Sequence, residues 1–117
     1  MLKIAICDDE IRCCAKLEYE ILEYSKRNSM NIECETYSNI ASLYNNLQHG
    51  YIYDLIFLDI EFSDRKGNTG SDGIKLGQMI RNDMLDESTQ IVFMSWHDRY
   101  SLQLHGIHIL DFVKKTG

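Results

Sequence analysis

The stretch at 54–60, Asp-Leu-Ile-Phe-Leu-Asp-Ile (DLIFLDI), decides the fold. Four consecutive apolar residues between two aspartates are too short for a core helix. They suit a parallel strand buried on both faces. Two further stretches read the same way, LKIAIC at 2–7 and QIVFMS at 90–95, and weaker ones lie at 31–36 and 109–114. Between them run amphipathic stripes at helical spacing. The first is Ile11, Cys14, Leu17, Ile21 and Leu22; the second is Ile40, Leu43, Tyr44 and Leu47; the third is Ile74, Gly77, Ile80 and Met84. A fourth, around 99–105, is short and polar. This alternation predicts an α/β fold with a five-stranded parallel sheet and helices on both faces. The segment 62–71, FSDRKGNTGS, is polar and glycine-containing, and reads as a long irregular loop.

At 117 residues the chain is expected to form one domain spanning 1–117. Its net charge of -6, with 12 scattered Lys and Arg, argues against direct nucleic-acid contact by this segment. No apolar run approaches the roughly 20 residues of a membrane span. Cys7, Cys13, Cys14 and Cys34 show neither metal-ligand nor disulfide-framework spacing, and are expected as small, buried or half-buried thiols in the cytoplasm.

Ligands of an open parallel α/β sheet bind beyond the carboxyl ends of its strands. There the sequence places Asp8, Asp9 and Glu10 after the first strand, Asp59 ending the third, Ser95 ending the fourth, and Lys114 and Lys115 on the fifth. Asp8 and Asp9 alone would pass as a helix cap. Asp59 after a buried apolar run is costly unless it is paired or bound. Converging carboxylates repel one another, and a hard, oxygen-loving cation such as Mg²⁺ relieves that. Carboxylate nucleophile, cation, ammonium and hydroxyl together suit phosphoryl transfer. Alternating side-chain directions admit only one of Lys114 and Lys115 to the site.

The motifs ICDDE, DLIFLDI, DGIKL, IVFMS and LDFVKK, in this order, resemble the receiver domain of two-component response regulators (the CheY-like family). ICDDE and LDFVKK are most similar to receivers attached to LytTR-type DNA-binding domains. The resemblance covers essentially the whole chain and implies a flavodoxin-like, doubly wound (βα)₅ fold. It implies Asp59 as phosphoacceptor, with Mg²⁺ held by Asp8, Asp9, Asp59 and the backbone carbonyl of Glu61. It assigns Lys115, rather than Lys114, as the site lysine, Ser95 as the hydroxyl switch and Phe112 as the aromatic switch. Trp96 stands where a small residue is usual, on the rim of the site, and Thr116 stands where a proline is usual. The implied partners are a sensor histidine kinase, a C-terminal output domain that is DNA-binding, and a second copy of the chain. Such a domain catalyses only its own phosphorylation and dephosphorylation. A Mg²⁺-dependent phosphohydrolase with an aspartyl-phosphate intermediate is the alternative from another class. A degenerate receiver acting as a binding module is the third reading.

The resemblance also implies a fifth helix after the site lysine, which this chain lacks, so the sequence reads as a receiver truncated before its last helix and output domain. At about 25 cal/mol per Å² of apolar surface, losing a few hundred Å² costs several kcal/mol. The 117-residue chain is therefore expected to self-associate, or to melt well below a longer one. Light scattering and denaturant melts on both lengths check this; a short form that is monomeric and equally stable would contradict it.

Overall fold

A computed structural model describes residues 1–63, 69–70, 72–97, 104 and 106–116. The main elements are β1 (Leu2–Cys7), α1 (Ile11–Arg27), β2 (Ile32–Tyr37), α2 (Ile40–Gln48), β3 (Leu55–Asp59), α3 (Asp72–Asn82), β6 (Gln90–Ser95) and β7 (Asp111–Lys114). A pair of two-residue strands, β4 (Phe62–Ser63) and β5 (Thr69–Gly70), lies between β3 and α3. The five long strands form one parallel sheet in the order β2-β1-β3-β6-β7. This is the flavodoxin-like doubly wound order, whose reversal point lies between β1 and β3.

The strand alternation sorts the core into two layers. Ala5, Cys7, Ile56, Leu58, Ile91 and Phe93 face the side covered by α2 and α3. Ile6 and Met94, with half-buried Phe57, face α1 through Cys14, Leu17 and Ile21. Buried Arg81 ties α3 to the approach to β7 by donating to three carbonyls, Ile107 O at 2.6 Å, Asp86 O at 2.7 Å and His108 O at 3.0 Å. A buried guanidinium that donates to three carbonyls among the described residues fixes backbone.

Two expectations change, and a third falls outside the described residues. The 62–71 segment is not wholly irregular, since Phe62 pairs with Gly70 and Ser63 with Thr69 in an antiparallel ladder; 64–68 and 71 lie outside the described residues. Ile11 and Leu22 belong to no buried stripe, Ile11 being 80% exposed, because α1 covers the sheet with its Cys14–Leu17–Ile21 edge alone. Three helices are described, and the fourth expected around 99–105 lies outside the described residues except for buried Leu104. Beside α1, Leu55 and Phe57 are half-buried and Val113 is exposed, so this face of the sheet carries accessible apolar surface.

Two glycines let α3 lie close against the sheet. A Cβ on Gly73 would sit 2.0 Å from the Asp59 carbonyl oxygen, and one on Gly77 would sit 2.7 Å from Phe93 Cζ. Ala at Gly77 meets a side chain that can shift, and is expected to cost about 1–3 kcal/mol as ordinary overpacking. Ala at Gly73 meets backbone at the end of β3 and is expected to cost more. Denaturant midpoints of the two variants check the ranking.

Candidate functional site

The three central strands each deliver one polar side chain to the carboxyl edge of the sheet. Asp8 follows β1 and is 2% exposed, Asp59 ends β3 at 1%, and Ser95 ends β6 at 0%. Backbone bonds fix the ends of these strands against one another. Asp8 N–H donates to Tyr37 O at 3.0 Å, Ile60 N–H to Met94 O at 3.0 Å, and Lys115 N–H to Ser95 O at 2.7 Å. Period-two alternation then carries Asp59 to the same face as Phe57, and Lys115 to the same face as Val113.

The Lys115 ammonium lies 2.8 Å from Asp8 Oδ2 and 3.2 Å from Asp59 Oδ1, and its side chain is 7% exposed. Lys114 is exposed. Asp8, Asp9 and Asp59 each bring one carboxylate oxygen to a common place, all within 4.8 Å of one another. Asp8 Oδ1 accepts from Glu10 N–H at 2.9 Å, which closes the turn into α1, and Asp59 Oδ1 accepts from Glu61 N–H at 3.4 Å.

Two carboxylates thus share one buried ammonium, with the Asp9 carboxylate beside them. Burial pushes the Asp59 carboxyl up to about 7; Lys115 works against that rise and the Asp8 charge adds to it. Burial alone would lower the Lys115 ammonium, but its contacts with Asp8 and Asp59 outweigh burial and hold it above its ordinary value. Beneath them, burial and then the Asp59 and Asp8 charges keep Cys7 a thiol. The surplus negative charge and the all-oxygen donor set suit a hard divalent cation that keeps some of its water.

Sequence reasoning singled out Glu61 for its backbone alone, yet its side chain enters the site. Ser95 Oγ donates to Glu61 Oε1 at 2.6 Å and accepts from His97 N–H at 3.0 Å, while His97 Nε2 lies 3.6 Å from Glu61 Oε2. Glu10 was noted only as an acidic neighbour. It accepts from Trp96 Nε1–H at 2.9 Å and from Cys13 Sγ at 3.1 Å. Nothing in local spacing announces contacts across 34 and 86 positions. Trp96 therefore turns toward the site, its ring centroid 5.7 Å from Lys115 Nζ. Phe112 is half-buried and packs on the α2–α3 side of the core. The four cysteines are unpaired, Cys7 and Cys14 buried and the other two half-buried.

No protein-family model matches the chain. Among curated proteins, it is 28% identical over 114 residues to the transcriptional regulatory protein LytR of Staphylococcus aureus (strain N315), covering 97% of this chain and 41% of that protein. It is likewise 28% identical over 116 residues to the sensory transduction protein LytT of Bacillus anthracis, covering 98% of this chain and 42% of that one. The chain thus spans about two fifths of the length of these relatives. Among solved structures, the response regulator TrrA of Thermotoga maritima in complex with Mg²⁺–BeF superposes with a TM-score of 0.75 at 25% identity, over 99% of this chain and 88% of that one. No helix among the described residues is long and apolar enough to cross a membrane. Strand order and relatives agree: the chain has the fold of response-regulator receiver domains and is similar in sequence to the LytR and LytT regulators.

Proposed function

We propose that this domain accepts a phosphoryl group on Asp59 from a sensor histidine kinase in the cytoplasm. An Asp59 oxygen attacks the phosphorus of a phosphohistidine, the P–N bond breaks with its electron pair returning to the imidazole, and an acyl phosphate forms. The observation that carries this reading is the buried Lys115 ammonium between Asp8 and Asp59, beside three converging carboxylates. Asp8, Asp9, Asp59 and the Glu61 carbonyl would hold Mg²⁺, which when bound supplies the charge neutralisation that in-line transfer requires. TrrA was solved with Mg²⁺–BeF, which supports the same reading here.

The Lys115 ammonium, 3.2 Å from Asp59 Oδ1, would follow the charge from that carboxylate onto a phosphoryl oxygen. Ser95 Oγ, now donating to Glu61, would turn its O–H to a second oxygen. Phe112 would respond from β7, which pairs with the strand that ends in Ser95. Trp96 lies on the rim. The output is a transcriptional response through a further domain, as the name of LytR supports, with a second copy of the chain as a further partner.

Incubation with acetyl phosphate and Mg²⁺ is expected to add the mass of one phosphoryl group to the wild type and none to Asp59→Asn. Absence of labelling would leave a receiver that works as a binding module. Mg²⁺ is expected to stabilise the fold by about 2.7 kcal/mol at 100 times its Kd, and Asp9→Ala to abolish that gain. Thermal melts over stepped Mg²⁺ concentrations read both.

A pH dependence follows from Asp59 itself. Its folded pKa, about 7, lies above the ordinary 3.8, so folding favours the protonated form. That contribution is complete below the unfolded value and is lost as pH rises through about 7. Metal-free wild type is therefore expected to lose stability between about pH 4 and about pH 7 relative to Asp59→Asn. The difference between the two melting curves isolates this group, and saturating Mg²⁺ should remove it.

A further inference from the structure

Residues from the two ends of the chain meet over the Lys115 end of the site. Trp96 Nε1–H donates to Glu10 Oε1 at 2.9 Å, and Cys13 Sγ–H holds the other carboxylate oxygen at 3.1 Å. Glu10 is anchored in turn, because its own N–H donates to Asp8 Oδ1 at 2.9 Å. The indole centroid lies 5.7 Å from Lys115 Nζ, within cation–π reach. That ammonium is the one bridging Asp8 and Asp59. The ring is thus held twice, at its edge by a carboxylate fixed on the site and on its face by the site's own cation.

We propose that Glu10 is a positioning residue that holds the Trp96 indole as a cover over the Lys115–Asp59 end of the site, so that this hydrogen bond sets how readily a phosphodonor enters. The inference rests on the receiver reading. Glu10 is exposed and Trp96 only half-buried, so water can take over both partners when the ring swings out. The open form therefore loses one ordinary hydrogen bond rather than leaving a buried group unsatisfied, which makes the ring a movable cover and not a plug. Loading by a small donor follows the open fraction. An Asp59 oxygen then bonds to phosphorus as the P–O bond to acetate breaks and acetate leaves with the electron pair.

Trp96 is the sole tryptophan, so its fluorescence reads the cover without any phosphorylation. The test compares wild type, Glu10→Ala, Glu10→Gln, Trp96→Ala and the Glu10→Ala/Trp96→Ala double variant in two measurements. One is the rate of loading by acetyl phosphate with Mg²⁺, followed by intact mass; the other, on wild type and the two Glu10 single variants, is acrylamide quenching of the indole. Glu10→Ala is expected to load about five-fold faster, the change that one hydrogen bond of ordinary net strength allows, and to quench more readily. Glu10→Gln keeps an oxygen acceptor for the indole and is expected to stay near wild type in both. Glu10→Ala should add nothing once Trp96 is gone.

Loading and quenching both unchanged in Glu10→Ala would overturn the cover while leaving the receiver reading intact. Faster loading in Glu10→Gln without increased quenching would also overturn it, because loss of charge and not release of the ring would then explain the rate. If wild type fails to load, as Asp59→Asn is expected to, the phosphoacceptor reading falls and the cover falls with it, leaving a receiver that works as a binding module.

Discussion

The buried Lys115 ammonium, between Asp8 at 2.8 Å and Asp59 at 3.2 Å, is the interaction on which the arrangement of the site depends. Two carboxylates and an ammonium withdrawn from water each carry a desolvation cost of several kcal/mol, which their mutual attraction offsets only in part. With Asp9 beside them the sum remains negative. A fold optimised for stability alone would replace such a cluster with apolar side chains. A charged cluster of this kind, buried at the carboxyl edge of the sheet, is a candidate for function rather than for stability.

The fold keeps this cluster in place by making the strand ends rigid. The Asp59 carbonyl lies so near Gly73 that no side chain fits between β3 and α3, and Gly73 N–H donates to Ile60 O at 3.3 Å. On the other side, Arg81 fixes the backbone at 107–108, and the Lys115 N–H bond to Ser95 sets the height at which the lysine leaves β7. The ammonium is thereby brought to the carboxylates with little entropy left to lose on ligand binding. Preorganisation of this kind is what electrostatic stabilisation of a transferring group requires.

Around this rigid centre the hydrogen bonds are exchangeable. Ser95 donates to Glu61, His97 approaches the other oxygen of the same carboxylate, and Trp96 reaches across to Glu10. None of these contacts is part of a strand ladder. Each joins a side chain at the end of β6 to a glutamate near the acidic cluster. A change of charge at Asp59 therefore meets a shell of side chains that can change partners without disturbing the sheet.

Much was legible in the sequence because the physics that fixes it is local or periodic. Short continuous apolar runs such as DLIFLDI cannot be amphipathic helices, and their alternation with helical stripes leaves few topologies for a right-handed parallel fold. The rule that ligands gather at carboxyl strand ends then placed Asp8, Asp59, Ser95 and the lysine pair at one edge. The strand residues pairing Phe62 with Gly70 and Ser63 with Thr69 were hidden, because two-residue strands carry no periodicity. The exposure of Ile11 was hidden too, since a stripe shows which residues share a face and not how wide a face the sheet covers. Only tertiary structure decided that Lys115 reaches Asp8 and Asp59, that the Glu61 side chain holds Ser95, and that Trp96 turns to Glu10. These contacts depend on distances between strand ends and on rotamers chosen among competing partners, and a one-dimensional spacing holds neither.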